Sequence, residues 1–351
     1  MNRRWICNDV WMDILPNFRR RQLGLKLALL SPRFDVLVDT HFNGKTTELT
    51  IWRPIRICKK GTKAKLLVEK SNGKSVQFPL PDRPLRSKIR FKDLRIKYID
   101  YSVIEFLRAN QQIFDKAINL DFYIEANDVQ PIWDVFAREI WPIFAPNIRH
   151  LSLSNGHHLD NLRRLTSSTI LSNLNQLISI LSDNLLPDSI GDDGTNATAG
   201  QALAKWLHTP GKDGKPKRFR CCGDTSETIE FINNFKEAFL RATISSANYV
   251  IRFVLFDEST PIEPFELMNG RTNEMLTLEK EKYDENVDEE EDDDDDDGKY
   301  VDLVLKRWQI GKTIQWEDEN LDKITFELFG NCIGPLSPPK AEQLTQKFLL
   351  K

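Results

Sequence analysis

The chain has 351 residues, of which 40% are hydrophobic and 29% charged, and its net charge at pH 7 is −3. This length and composition allow a large buried core and two or three domains. Twelve acidic residues lie within 284–297, so the rest of the chain carries a net charge of +9. That mild excess of basic residues is spread along the chain, which argues against nucleic acid as a partner.

Cysteine usage and the N-terminus bear on the compartment. The five cysteines are odd in number and scattered, so they predict no disulfide framework. The first residues include acids and lack the apolar core of a secretory signal. No uninterrupted apolar run reaches the length of a transmembrane helix. An intracellular protein, cytoplasmic or nuclear or both, with no membrane partner is therefore expected.

Residues 6–42 predict three short amphipathic helices. Asn8-Asp9 can cap the first, and Leu23, Leu27 and Leu30 follow at i, i+4 and i+7, the apolar stripe of a second helix. Ser31-Pro32 then begins a third helix with proline at its first position. A unit of about 37 residues is too small to build a sufficient core alone. Its apolar faces must therefore be covered by the rest of the chain or by another protein.

This pattern resembles the F-box, the module by which substrate receptors dock onto the Skp-type adaptor of a Skp–cullin–F-box ubiquitin ligase. The matching residues are Ile6, Asp9, Val10, Trp11, Ile14, Leu15, Phe18, Leu23, Leu30, Ser31, Arg33, Phe34, Leu37 and Val38. The family usually opens with Leu-Pro, whereas Ile6-Cys7 stand here. The resemblance places an F-box at 4–45. It implies that the module and its adaptor-facing surface are built from Ile6, Val10, Ile14, Leu15, Leu23, Leu27, Leu30 and Phe34, which the sequence alone does not divide between packing and contact.

A β-rich connecting segment is predicted over 46–87, and short strands then alternate with helices from 88 to 260. Four successive strands begin at residues 94, 120, 148 and 177, which are 26, 28 and 29 residues apart. This spacing is typical of leucine-rich repeats, whose units stack because none covers its own apolar face. An irregular βα repeat array is predicted, with an ordinary open α/β sheet as the alternative. A helix over 228–243 is expected to pack firmly through Ile229, Ile232, Phe235, Phe239 and Leu240.

The region 261–351 predicts a β-rich C-terminal part. Its strands are expected near 265–267, 275–278, 301–308, 313–316 and 325–329. The acidic segment 284–298 is predicted to be a disordered loop between two paired strands. The predicted fold class is therefore α/β: a three-helix N-terminal module, a β-rich segment, an irregular leucine-rich-repeat-like βα array and a β-rich end.

The order of these regions also resembles nematode-type F-box proteins, which carry an F-box-associated region after the F-box. The phrases that match lie within Leu49–Ile55, Lys205–Arg218, Phe235–Thr243 and Pro264–Leu278. The resemblance covers most of the chain and implies a substrate-receptor architecture. It carries over neither catalytic residues nor a defined target.

Catalytic signatures are weak throughout the sequence. His157-His158 near Asp160 reads as a solvated pair in a turn, because adjacent histidines point apart and a metal needs a third ligand. Cys221-Cys222 ends a strand without any flanking nucleophile signature. Phosphate-binding, nucleophile-elbow and dinucleotide motifs are absent from the sequence. We therefore predict a protein that is not an enzyme and has no cofactor, no metal and no catalytic residue.

Together these observations favour a non-catalytic substrate receptor that joins an unknown target protein to a Skp-type adaptor and, through it, to a cullin. The strand side of the array is the expected target surface, because solenoids bind along extended faces. The alternative is a free-standing interaction scaffold whose N-terminal helices merely cap the array.

Overall fold

The computed structural model describes most of the chain. The described residues are 7–18, 23, 27, 30–43, 49–51, 54–69, 74–81, 84–85, 89–114, 116–125, 130–211, 214–255, 262–282, 301–311, 321–329 and 332–337. The predicted acidic loop 284–298, the predicted strand 313–316 and Ile6 lie outside them.

Strands alternate with helices from residue 93 to residue 255 and join the other strands in one large mixed sheet, so the predicted α/β class is confirmed. The helices are α1 Asn8–Ile14, α2 Pro32–Asn43, α3 Tyr101–Ala109, α4 Gln130–Val135, α5 Trp141–Phe144, α6 Gly156–Leu165, α7 Ile170–Asn173, α8 Ala199–His208 and α9 Thr225–Arg241. The strands are β1 Leu49–Ile51, β2 Ile55–Lys60, β3 Lys63–Glu69, β4 Ser75–Pro79, β5 Ile89–Phe91, β6 Asp93–Ile96, β7 Ile118–Glu125, β8 Ile148–Leu153, β9 Ser179–Asp183, β10 Lys217–Gly223, β11 Tyr249–Leu255, β12 Phe265–Asn269, β13 Glu274–Lys282, β14 Val301–Gln309 and β15 Asp322–Phe329.

Thirteen of these strands form one mixed sheet. Their order is β12-β13-β14-β11-β10-β9-β8-β7-β15-β6-β2-β3-β4, while β1 and β5 pair with each other. The strands from β11 to β2 run parallel to their neighbours, and the strands outside them pair antiparallel. One sheet therefore runs through all three regions that follow the N-terminal helices.

Most strands of the predicted array lie in the expected order. β7, β8, β9, β10 and β11 are successive neighbours in space as well as in sequence. The C-terminal strand β15 departs from this order, because it lies parallel between β6 and β7. β13 and β14 pair antiparallel with Lys282 opposite Val301, which confirms the prediction that paired strands flank the acidic segment.

Side-chain polarity explains why several helices begin where they do. Asp100 accepts a hydrogen bond from the Val103 amide at 3.0 Å, and this contact caps α3. Thr198 and Gln201 form a reciprocal capping box at the start of α8. Such caps satisfy amide groups that have no partner within the first turn of a helix.

One face of the parallel sheet is apolar and packs against the helices. Phe326 of β15 stacks on Phe122 of β7 with their ring centroids 5.7 Å apart. Phe136 and Phe144 lie 5.2 and 6.0 Å from the same Phe326 ring. Because strand side chains alternate between faces, these contacts place the apolar residues of successive strands under the helices. The inserted strand is thus part of the main core.

A substitution in β15 tests that assignment. Phe326 is fully buried, whereas Phe329 on the same strand is 48% exposed. We expect Phe326→Ala to lower the free energy of unfolding by about 3 to 5 kcal/mol, because it leaves a cavity in an aromatic cluster. The matched control Phe329→Ala should cost about 1 kcal/mol or less. Urea unfolding followed by tryptophan fluorescence measures both, and equal losses would contradict the placement of β15.

Candidate partner-binding surfaces

The N-terminal helices form a hydrophobic cluster of their own. Its buried members are Leu15, Leu23, Leu27, Leu37 and Val38, with Trp11, Met12 and Phe34 packed against them. The main core is a separate cluster and draws its residues from Ile51 onward. Among the described residues, the module therefore covers part of its apolar surface by itself, in a cluster separate from the core of the large sheet.

Two sets of contacts hold α1 against α2, and a third contact caps α2. The guanidinium of Arg33 donates from Nε and Nη2 to Oδ1 of Asn8, at 3.1 and 2.9 Å. The rings of Trp11 and Phe34 meet edge to face, with their centroids 4.7 Å apart. The Ser31 hydroxyl accepts from the Phe34 amide at 3.3 Å at the start of α2. These contacts fix the relative positions of the two helices.

The same module leaves large apolar side chains in solvent. Leu30 is 69% exposed, Val36 63%, Val10 44% and Phe18 36%. Single exposed apolar residues are ordinary on protein surfaces. Four of them within a module of this size form a candidate surface for another protein. We call Val10, Phe18, Leu30 and Val36 the N-terminal apolar surface.

The structure divides the residues that the sequence could not. Val10 and Leu30 belong to the N-terminal apolar surface, and Ile14 and Phe34 are half-buried. Leu15, Leu23 and Leu27 are buried in the N-terminal cluster, whereas Ile6 lies outside the described residues. Sequence reasoning missed Val36, whose signal is that it is apolar but lies off the stripe formed by Phe34, Leu37 and Val38.

The face of the sheet opposite the helices carries ion pairs between strands, and Val250, Val254 and Val304 lie buried on the same face. Lys323 of β15 lies 3.2 Å from Asp121 of β7. Arg252 of β11 bridges Asp302 and Glu281 at 3.2 and 3.1 Å. These residues alternate with the buried apolar ones along each strand, so they share one face. This face is broad, charged and of mixed sign.

Two aromatic side chains interrupt that charged face near the ends of adjacent strands. Tyr123 of β7 is 43% exposed, and Phe329 of β15 is 48% exposed. Glu327 is the register partner of Tyr123 and lies two residues before Phe329, which makes the two aromatics diagonal neighbours. Exposed aromatic residues are enriched at the centres of protein interfaces. We call the ion-paired face together with Tyr123 and Phe329 the strand face.

A groove lies beside α9 on the other side of the sheet. It has a volume of about 540 Å³, and Leu186, Phe231, Phe235 and Phe239 contribute to its apolar lining. Such a volume is in the range of small-molecule sites. The expectation that the helix over 228–243 packs firmly is therefore wrong in part. Ile232 and Phe239 are buried, but Leu240 is 49% exposed and Phe235 faces the groove.

A polar cluster contributes His208 and Arg307 to the lining of that groove. Glu274 pairs with Arg307 at 2.8 Å and also accepts from the Ser246 amide at 2.8 Å. His208 Nδ1 and the Ser246 hydroxyl are 2.7 Å apart. Burial lowers the pKa of His208 to about 4, and Arg307 lowers it further while Glu274 opposes the shift. His208 is therefore neutral at pH 7.

The histidine and cysteine pairs considered as catalytic candidates are mostly buried, and they have shifted pKa values. His158 is not part of a solvated turn; it is buried in α6, 3.1 Å from the Ser154 hydroxyl and against the Trp133 ring. His157 beside it is exposed. Burial raises the pKa of the Cys221 thiol to about 11 and that of Cys222 to about 12. Both thiols are therefore protonated at pH 7, a poor state for a nucleophile.

Among the residues that the structure describes, no three His, Cys, Asp or Glu side chains come together as a metal site would require. None of the helices in those described ranges has both the length and the apolar composition needed to cross a bilayer.

Comparison of the chain with models of known protein families, with curated proteins and with solved structures finds no significant match in any of the three. The residues and their geometry therefore carry the functional argument.

Acid should destabilise this fold through its buried histidines. The pKa of His158 falls from 6.5 to about 4 because burial disfavours the charged ring. In the unfolded chain this histidine is protonated below about pH 6.5, whereas in the folded chain it is protonated only below about pH 4. The free energy of unfolding therefore falls as the pH is lowered from 6.5 to 4. We expect His158→Asn to reduce this loss by up to about 3 kcal/mol.

Urea unfolding at pH 9, 8, 7, 6, 5 and 4 gives the free energy of unfolding as a function of pH. The slope of this free energy against pH should differ between wild type and His158→Asn from pH 6.5 to 4, and should be the same in both proteins above pH 7. The same slope in both proteins throughout would mean that His158 is accessible to protons in the folded state.

Proposed function

We propose that this protein is a non-catalytic substrate receptor of a Skp–cullin–F-box ubiquitin ligase. The single observation that carries the proposal is the division within residues 7–43. Five residues form a small core of their own, while Val10, Phe18, Leu30 and Val36 remain in solvent. A helical unit that encloses a small cluster and still leaves four large apolar side chains in solvent suits a partner that covers those side chains.

The resemblance to the F-box indicates that this partner is a Skp-type adaptor, which in turn binds a cullin. In this proposal Leu15, Leu23 and Leu27 hold the module together. Val10 and Leu30 provide adaptor contacts, Val36 extends them, and Ile14 and Phe34 support both roles from half-buried positions. The Asn8–Arg33 and Trp11–Phe34 contacts keep the exposed side chains of α1 and α2 in place.

The βα region would then hold the target. Its successive parallel strands β7 to β11 support a leucine-rich-repeat-like array, from which the inserted β15 is a departure. We assign target binding to the strand face, because interfaces combine a polar surround with a few aromatic anchors such as Tyr123 and Phe329. A receptor of this kind accelerates ubiquitin transfer by raising the local concentration of the target lysine.

A free-standing scaffold without a ligase role is the alternative. It requires the N-terminal helices to serve only as a cap for the array. A cap would be expected to share its apolar residues with the array, whereas the N-terminal cluster is separate from the main core.

Binding of a purified Skp-type adaptor tests the proposal. We expect the wild-type chain and the adaptor to form a complex that survives gel filtration. Leu30→Asp and Val36→Asp should each lower the affinity for the adaptor by at least about tenfold, because a charge replaces an exposed apolar contact. The matched control is Leu240→Asp, which places the same charge on an exposed leucine of α9. It should leave adaptor affinity unchanged.

Circular dichroism separates loss of contact from loss of fold in these variants. Leu27→Asp is unsuitable as a contact probe because Leu27 is only 8% exposed and its substitution should unfold the module. No complex with the wild-type chain, or full affinity in both Leu30→Asp and Val36→Asp, would reject the assignment and favour the scaffold.

A further inference from the structure

Lys217, the first residue of β10, has a buried side chain. Its relative exposure is 6%. The ammonium group donates a hydrogen bond to the main-chain carbonyl of Trp206, and it lies 4.8 Å from the centroid of the Trp206 ring. An ammonium has three donors, so the Trp206 carbonyl satisfies one of them. The ring supplies an attractive but non-bonding contact for the charge.

No carboxylate compensates this charge within the described part of the chain. Lys217 makes no ion pair with any Asp or Glu side chain there, in contrast to the buried cation Arg307, which pairs with Glu274. Burial alone lowers the pKa of Lys217 to about 8, with no charged neighbour contributing. At pH 7 the group is therefore still mainly protonated. A buried cation without a counter-ion is unfavourable, and a bound anion relieves it.

A small pocket gives an anion access to Lys217. It has a volume of about 140 Å³ and lies between the segment 171–177 and the end of α8. Leu171, Leu174 and Trp206 are buried in its wall, and Ser172, Asn175 and Thr209 lie at its exposed rim. Among the lining residues that the structure describes, Lys217 is the only charged one. This described lining is therefore electropositive, and its rim is open to solvent.

The lining also limits what can bind. The Ser172 hydroxyl donates to Asp193 at 2.8 Å, and the Thr209 hydroxyl donates to the Lys205 carbonyl at 2.7 Å. Among the described lining residues, the side-chain donors that remain for a ligand are the Lys217 ammonium and the Asn175 amide. A volume of about 140 Å³ holds roughly four or five water molecules, given about 30 Å³ for each. This space suits a small group that only accepts hydrogen bonds.

We propose that the pocket between residues 171–177 and the end of α8 is an anion site, in which Lys217 and Asn175 bind a small oxyanion, either a carboxylate or a phosphate. The site is independent of the proposed ligase role, since it shares no residue with the N-terminal apolar surface or the strand face. Its occupant neutralises Lys217 and links β10 to the end of α8.

Thermal unfolding of the full chain tests the site with three named salts. Sodium phosphate and sodium acetate are each compared with sodium chloride at equal ionic strength, on wild type, Lys217→Met and Lys205→Met. Lys205 is the matched control because it is an exposed lysine of α8. Methionine keeps most of the unbranched side chain, one atom shorter than lysine, and removes its charge.

We expect phosphate or acetate to raise the unfolding midpoint of wild type saturably, by about 2 °C at ten times the dissociation constant. Lys205→Met should keep this rise and Lys217→Met should lose it. A rise in the unfolding midpoint with sodium phosphate identifies the oxyanion as a phosphate, and a rise with sodium acetate identifies it as a carboxylate. No saturable rise in wild type, or the same rise in Lys217→Met, would overturn the proposal.

If Lys217→Met does not fold, the wild-type chain still decides the question. The Nζ resonance of Lys217 in protein labelled with ¹⁵N-lysine reports the pKa of the group directly. That pKa should rise when phosphate or acetate is added at equal ionic strength, because the anion favours the charged form. An unchanged titration of Lys217 in both salts would contradict anion binding.

Discussion

Burial of one apolar face of the parallel sheet is the constraint on which the rest of the structure depends. Phe326 of β15 lies at the centre of that face, in ring contact with Phe122, Phe136 and Phe144. Because β15 comes from the C-terminal part of the chain, the core closes only when the two ends of the large region meet. The helices then occupy one side of the sheet, and the opposite side carries the ion pairs between strands.

The N-terminal module obeys a different constraint, which is its size. So few residues cannot bury all of their apolar surface in one cluster. Leu15, Leu23 and Leu27 are enclosed, while Val10 and Leu30 are not. The exposed fraction is what a docking partner would use. In the proposed receptor, the large sheet presents the surface for the target and the small module presents the surface for the adaptor.

Local patterns in the sequence predicted the elements well and their long-range arrangement less well. Spacing placed strands near 94, 120, 148 and 177, and the structure has them beginning at Asp93, Ile118, Ile148 and Ser179. The insertion of β15 between β6 and β7 had no local signal, because a parallel pair is joined by a long connection whose course the sequence does not reveal. The same holds for Lys217. In the sequence it stands in a basic run, and only the packing of Trp206 from α8 buries it.

Hydrogen–deuterium exchange of the full chain, with and without a purified Skp-type adaptor, tests the central claim most directly. The account predicts that the adaptor slows amide exchange within 8–18 and 30–43. Exchange in the strands β7 and β15, which carry Tyr123 and Phe329, should stay unchanged. Protection confined to the large sheet, or no protection anywhere at adaptor concentrations that saturate other receptors of this class, would contradict it.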